Sequence, residues 1–313
     1  MFNFKIKLVN FLERILKKND NKKKFMLGSI YLNEARKSYD KFKDLKEAEY
    51  KVFSQTGEDG IIDFIQNKLG INNCKFVEIG VGDYSEANTR FIYENSFSEG
   101  LIIDVIDNFK KKVSNNIDLW KGLINLENVN IDQENINPIL KKYNLDKNLD
   151  LFSIDIDGND YWIIDKLSNN ISKVFVLEYN PTFGHNLEIT VPYNKDFSRF
   201  KEHHSGCYYG ASLKAMIKIM NTKGFEFLGT NKLNFNAFFV SNKLSNNFSA
   251  ITNNINDLSY YTKLQIRDSR NEKGELNYLD QKQRLKAIED KEVVDVSTSK
   301  HKKYKIKDLI SSI

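Results

Sequence analysis

The chain is poor in the residues that mark several protein classes. Its two cysteines, Cys74 and Cys207, build neither a disulfide framework nor a four-cysteine zinc site. A reducing, cytoplasmic compartment is therefore expected. Three prolines and fifteen glycines in 313 residues exclude collagen, mucin-like stalks and low-complexity linkers. Long apolar runs are missing too, so neither a membrane span nor the core of a signal peptide is expected. Strong charge of one sign is also missing. The net charge is +5, and the runs Lys22–Lys24 and Lys110–Lys112 read as solvated faces. No zinc finger, basic zipper or aromatic RNA-binding signature accompanies them, so no nucleic-acid partner is expected.

What is there suits a folded enzyme-sized chain. Hydrophobic residues make up 41%, enough for a sizeable core, and the length fits one elaborated domain with appendages. Residues 1–50 read as a basic helical extension. Phe4, Leu8, Phe11, Leu12 and Ile15 recur at helical spacing with lysines between them. Such a helix either packs on its own domain or lies on an anionic membrane surface, with residues 1–25 making a peripheral contact.

From about Tyr50 the pattern changes to short apolar strands alternating with helices. Strands are expected at Phe76–Gly80, Gly100–Asp104, Leu126–Ile131, Asp150–Asp155 and Lys173–Glu178. Helices are expected at Ala87–Asn95, Phe109–Asn116, Glu134–Tyr143, Asp160–Leu167 and Ala211–Met220. Strands Phe225–Gly229 and Ala237–Val240 are close enough in sequence to form a terminal antiparallel hairpin. The expected fold is α/β, a Rossmann-like doubly wound and mostly parallel sheet of about seven strands. The core would be residues 51–245, followed by a charged extension, 246–313.

In such a sheet ligands bind outside the carboxyl ends of the strands. Glu78, Asp104, Asp155 and Glu178 all end strands on that edge. Glu78-Ile-Gly80-Val-Gly82-Asp83 is a strand-to-loop turn whose glycines permit close backbone approach. Ser85 stands where a dinucleotide fingerprint needs its third glycine, and no phosphate-cradling loop is evident. A cationic ligand without phosphates suits these carboxylates, and S-adenosylmethionine is one. Asp104 is placed for a ribose diol, Glu78 and the turn for the methionine end.

Four strings carry a resemblance. They are Phe53-Ser-Gln-Thr-Gly-Glu-Asp-Gly60, Phe76-Val-Glu-Ile-Gly-Val-Gly-Asp-Tyr-Ser-Glu-Ala-Asn-Thr-Arg90, Asp150-Leu-Phe-Ser-Ile-Asp-Ile-Asp-Gly-Asn-Asp-Tyr-Trp162 and Tyr209-Gly-Ala-Ser-Leu213. With the glycine turn, the acids and the terminal hairpin, the chain resembles class I S-adenosylmethionine-dependent methyltransferases. More closely it resembles their FkbM-type branch, over residues 50–245, with Arg267-Asp-Ser-Arg270 as an extension. The resemblance implies a methyl-donor pocket at Gly80 and Gly82, with Asn88 and Thr89 opening the next helix. It also implies that Gln55 and the Gly57-Glu58-Asp59 loop border that pocket. The turn has fewer glycines than many of these enzymes carry.

Methyl transfer to a hydroxyl needs an acceptor held in line and a group to take its proton. Asp155, Asp157, Glu178 and His185 are the candidates. The same carboxylates, completed by Asn180, could instead hold Mg²⁺ or Mn²⁺. Tyr161 and Trp162 either pack a helix on the sheet or wall a ring-binding site. His203 and His204 are expected on opposite faces of extended chain. Aromatic residues between Tyr179 and Gly210 suit a lid that selects the acceptor. The leading expectation is an O-methyltransferase acting on a hydroxyl of a sugar, surface polysaccharide or other secondary metabolite. One alternative is a glycosyltransferase using Asp155-x-Asp157 with a divalent ion and a nucleotide sugar. The other is a non-catalytic membrane-surface or partner-binding module.

Overall fold

The computed structural model describes the backbone of residues 2–313 and the side chains of residues 16–313. The chain divides into two compact units, one of residues 1–42 and 48–129, the other of residues 43–47 and 130–313.

The first unit opens with a helix of 34 residues, α1 (Phe2–Ala35). The apolar face expected at Phe4, Leu8, Phe11, Leu12 and Ile15 lies outside the described side chains. Then come α2 (Glu58–Leu69), β1 (Lys75–Ile79), α3 (Arg90–Asn95), β2 (Glu99–Asp104), α4 (Phe109–Asn116) and β3 (Leu123–Asn128). β1 and β2 are parallel and almost wholly apolar inside, with Phe76, Val77, Leu101, Ile102 and Ile103 buried. β2 pairs in parallel with β3 from Glu99 on Leu123 to Asp104 on Asn128. β3 thus begins and ends three residues earlier than expected. The Asp104 carbonyl takes Val129 N at 3.2 Å and Asn128 Nδ2 at 2.7 Å, and pairing stops there. The strand is half-exposed, so its apolar signal is weak.

The second unit contains α5 (Ile136–Lys142), β4 (Leu149–Ile154), α6 (Asp160–Lys166), β5 (Ser172–Glu178), β6 (Ile189–Thr190), α7 (Arg199–Glu202) and α8 (Leu213–Thr222). After them come β7 (Phe225–Thr230), β8 (Asn236–Ser241), α9 (Ser249–Thr252), α10 (Ser259–Thr262), α11 (Gln281–Ala287), β9 (Glu292–Asp295) and β10 (Lys302–Lys305). β4 and β5 are parallel, while β8 runs antiparallel to both β5 and β7. α8 starts where Ser212 caps the Ala215 amide at 3.2 Å, and it buries Leu213, Met216 and Met220. The sheet order is β3-β2-β1-β4-β5-β8-β7, mostly parallel with an antiparallel hairpin at one end. This is the Rossmann-like doubly wound sheet expected from the sequence, in the strand order of the class I methyltransferase fold.

A second, antiparallel sheet, β10-β9-β6, has no counterpart in the sequence reading. Residues 246–313 contribute two of its strands and α11, whose N-terminus carries a reciprocal capping box between Asp280 and Gln283. Cys74 and Cys207 are buried thiols in no disulfide.

Candidate functional site

In the first unit the turn after β1 is built around two carboxylates. Glu78 is buried and accepts the amides of Asn88 at 2.8 Å and Thr89 at 2.9 Å, together with the Thr89 hydroxyl. Burial raises its pKa, against the lowering effect of these bonds. Its present work is to clamp the far end of the loop that starts at Gly80. Asp104 clamps the near end. Its Oδ2 takes Gly82 N at 2.7 Å, and its Oδ1 takes Val105 N at 2.7 Å and Ile106 N at 3.0 Å. Asp104 is half-exposed, and Oδ2 keeps a lone pair that no donor among the described residues uses.

Between the clamps the backbone is left-handed at Gly80 (φ 85°), Gly82 (φ 55°) and Tyr84 (φ 63°). A Cβ on Gly82 would meet nothing within 4 Å, so the turn faces open space there. Tyr84 is strained, since a bulky residue rarely takes this conformation. Its hydroxyl lies 2.8 Å from Thr89 Oγ1 and the residue is fully buried. Arg90, also buried, braces the loop through Ser85 O at 2.7 Å and Asn116 O at 3.0 Å, and its guanidinium lies 4.1 Å over the Phe53 ring. Arg90 ended one of the quoted strings without being assigned a task. An arginine following a loop of small polar residues was the available signal.

The string Phe53–Gly60 folds around its own two acids. Asp59 Oδ2 accepts the amides of Val52, Phe53 and Ser54 at 2.8, 2.8 and 2.7 Å and the Ser54 hydroxyl at 2.7 Å. Glu58 accepts Thr56 N at 3.0 Å, Gly57 N at 2.9 Å and Thr56 Oγ1 at 2.6 Å. Ser54 and Thr56 are therefore partners of the two acids that open α2. A Cβ on Gly60 would stand 2.2 Å from Ala48 O and 2.6 Å from Tyr50 N, so no side chain fits. Asp59 Oδ1 is buried without a partner, and burial pushes the Asp59 pKa up to about 6. Gln55 is exposed, with its carbonyl 2.8 Å from Lys51 Nζ.

In the second unit the acids after β4 and β5 come together. Asp155, Asp157 and Glu178 each bring one carboxylate oxygen within 4.8 Å of the others. Asp157 is left-handed (φ 57°) and pairs with Arg199 Nη1 at 2.8 Å. Glu178 is buried, with Oε1 2.7 Å from Arg267 Nη2 and Oε2 without a partner. Tyr209 joins the two arginines. Its hydroxyl accepts from Arg267 Nη1 at 2.6 Å, and Arg199 lies 3.9 Å over its ring. Asp160 supports the bend by accepting Ile156 N and Gly158 N, both at 3.0 Å. Its pKa rises to about 7, chiefly through burial.

Burial and then the charge of Glu178 hold Asp155 well above the usual carboxylate range. Asp157 and Asp160 add to the crowding of negative charge around Asp155. Asp157 and Glu178 are paired with Arg199 and Arg267. A dication would enter a set already neutralised by guanidinium groups, so these residues fit an ion network better than Mg²⁺ or Mn²⁺. Asn180 does not complete a metal set. Its Nδ2 donates to Cys207 O and Tyr209 O, both at 3.0 Å, and its Oδ1 accepts Thr182 N at 3.0 Å.

His185 stands apart from the acids. It is half-buried beyond the turn Pro181–Phe183 and is not part of the acid cluster. His203 and His204 do not diverge as expected. Their rings lie 4.3 Å apart, with His203 extended (φ −155°, ψ 129°) and a turn starting at His204. Trp162 is buried in α6 and donates to Val191 O at 2.8 Å, the packing role rather than an exposed wall. Arg199 and Arg267, which pair with these acids, were missed by sequence reasoning, because Arg199 stands 42 positions from Asp157 and Arg267 89 positions from Glu178. Only the string Arg267-Asp-Ser-Arg270 hinted at one of them.

No family profile matches the chain, and no curated protein does. Among solved structures it is similar to the N-terminal domain of EvdMO1, crystallised in the presence of SAH and D-fucose. The identity is 8%, the match covers 67% of this chain and 95% of that one, and the TM-score is 0.39. It is similar to the fibrillarin pre-rRNA processing protein of Methanococcus jannaschii at 8% identity, covering 54% of this chain and 67% of that one, TM-score 0.34. It is also similar to CrArsM, an arsenic(III) S-adenosylmethionine methyltransferase from Chlamydomonas reinhardtii, at 10% identity over 55% and 63% of the two chains, TM-score 0.33. At such scores the likeness decides neither fold nor function. The strand order and the side chains carry the argument.

Proposed function

We propose that the chain is an S-adenosylmethionine-dependent O-methyltransferase of the FkbM-like kind, acting on a hydroxyl of a sugar, surface polysaccharide or other secondary metabolite. The observation that carries the reading is the doubly clamped turn. Glu78 and Asp104 hold a left-handed, strained loop whose Gly82 faces open space and whose Asp104 keeps an unused lone pair. When bound, the donor supplies a methyl group on a positively charged sulfur. Asp104 accepts the ribose diol, Gly80 and Gly82 allow close approach, and Asn88 and Thr89 fix the loop.

Asp155 takes the acceptor's proton in its ionised form, and burial beside Glu178 makes that form a stronger base than an exposed carboxylate. Arg199, Arg267 and Tyr209 hold Asp157 and Glu178 in place and keep the ionised oxygens compensated. The strings shared with FkbM-type enzymes support a glycan or secondary-metabolite hydroxyl as acceptor. Incubating purified protein with labelled donor and extracts of cells lacking the gene tests the reading. A labelled hydroxyl-bearing product is expected, and donor binding without any labelled acceptor across such extracts contradicts it.

A further inference from the structure

The apolar side chains of α1 among the described residues include two kinds. Phe25 and Leu32 pack against Val52, Phe53 and Phe91. Leu16, Met26, Leu27 and Ile30 are each 61–66% exposed. At helical spacing these four fall within an arc of about 100°, opposite Phe25 and Leu32, and Lys23 shares it. Scattered exposed leucines need no explanation, but four large apolar groups on one helical stripe do.

The charge around the stripe points to its occupant. Between Leu16 and Tyr31 the sequence has five lysines, Lys17, Lys18 and Lys22–Lys24, against one acid, Asp20. Beside the helix, the turn Leu119–Lys121 exposes Trp120 to 81%. That turn is tied to α1, since Lys18 pairs with Asp118 at 3.2 Å and Lys121 lies 5.8 Å from the Phe25 ring. Apolar groups set among lysines, with an exposed tryptophan nearby, match the chemistry of a lipid headgroup boundary. A second copy of the helix would bring Lys22–Lys24 against like charge, whereas acidic lipids offer the opposite sign.

We propose that the outer face of α1 docks on an anionic lipid bilayer, with Leu16, Met26, Leu27 and Ile30 entering the headgroup layer and Lys22–Lys24 facing lipid phosphates and carboxylates. The helix lies on the bilayer rather than through it, because no helix among the described residues is long and apolar enough to cross one. This docking is independent of the proposed chemistry and stands or falls separately.

Sedimentation of the full chain with phosphatidylcholine vesicles, with and without phosphatidylserine, tests it. Binding is expected only with phosphatidylserine and should weaken as salt rises. Replacing Lys22, Lys23 and Lys24 by glutamine should weaken it roughly a hundredfold. Leu27→Asp with Ile30→Asp should abolish it while leaving the thermal midpoint unchanged, since both side chains are exposed. As a reading independent of those variants, the emission of Trp120 in the unaltered protein should shift to the blue on acidic vesicles, and Trp120→Phe should remove the shift. Equal binding to neutral vesicles, no binding, or no shift overturns the proposal. So does a dimer in solution that Leu27→Asp dissociates, which would make a second copy the occupant.

Discussion

At the scale of single residues, buried carboxylates carry the account. Asp59 directs four donors at Oδ2 and none at Oδ1, in a site where ionisation is costly. Its folded pKa of about 6 lies above the ordinary 3.8. Its contribution to stability is therefore complete below the unfolded value and is lost as pH rises through about 6. Asp59→Asn keeps an acceptor for the four donors and removes the titration. The stability of the variant relative to wild type should climb between about pH 4 and pH 7 by on the order of 3 kcal/mol. Urea unfolding across that range reads it, and a difference that does not vary with pH would remove the titration from the explanation.

Glu178 and Arg267 make a second residue-scale case. Arg267→Met leaves a buried carboxylate without its cation and should cost about 3–5 kcal/mol. Adding Glu178→Met should restore most of the loss, because the pair together is worth far less than either broken half. A double-mutant cycle by denaturant unfolding decides between this and an additive result. Asp155→Asn should lower turnover by about 10²–10⁴-fold while leaving donor affinity nearly unchanged. Since Asp155 titrates above the usual range, wild-type turnover should rise with pH beyond the point where ordinary carboxylates are already ionised. The variant should lose that rise.

At the scale of elements, what was legible followed from periodicity and from how completely each strand is buried. β1, β2, β4 and β5 were readable to within a residue because both of their faces are covered, which gives continuous apolar runs. β3 slipped by three residues because it is half-exposed. The small sheet was illegible. β6 has two residues, and its partner β9 lies about a hundred positions further on, with no local pattern joining them. α2 escaped notice because Gly57-Glu58-Asp59 reads as a loop, although Glu58 and Asp59 open the helix and bind Ser54 and Thr56 before it. Gly60 allows a test in which the usual sign reverses. Inside a helix, alanine for glycine normally stabilises by about 1 kcal/mol. Here a methyl would press on Ala48 O and Tyr50 N, so Gly60→Ala should destabilise by about 1–3 kcal/mol. A gain in thermal midpoint would mean that this contact is looser than the structure shows.

At the scale of the whole molecule, the places of these acids along the chain were legible and their partners were not. Asp104 and Glu178 end β2 and β5 and Asp155 follows β4, as the apolar runs before them indicate. That Arg199 and Arg267 would neutralise the second group could not be read. Arg267 lies 89 positions beyond Glu178, in the part that composition marked as an appendage. The two arginines weigh against the metal-binding alternative for this cluster.

The central claim is that the turn clamped by Glu78 and Asp104 binds a methyl donor. Titration calorimetry with S-adenosylhomocysteine tests it most directly, comparing wild type with Asp104→Ala. The account predicts saturable binding to wild type and a loss of about 1.5–3 kcal/mol in the variant, from a charged hydrogen bond removed. Absence of binding to the wild-type chain, or equal affinity in the two proteins, would contradict it.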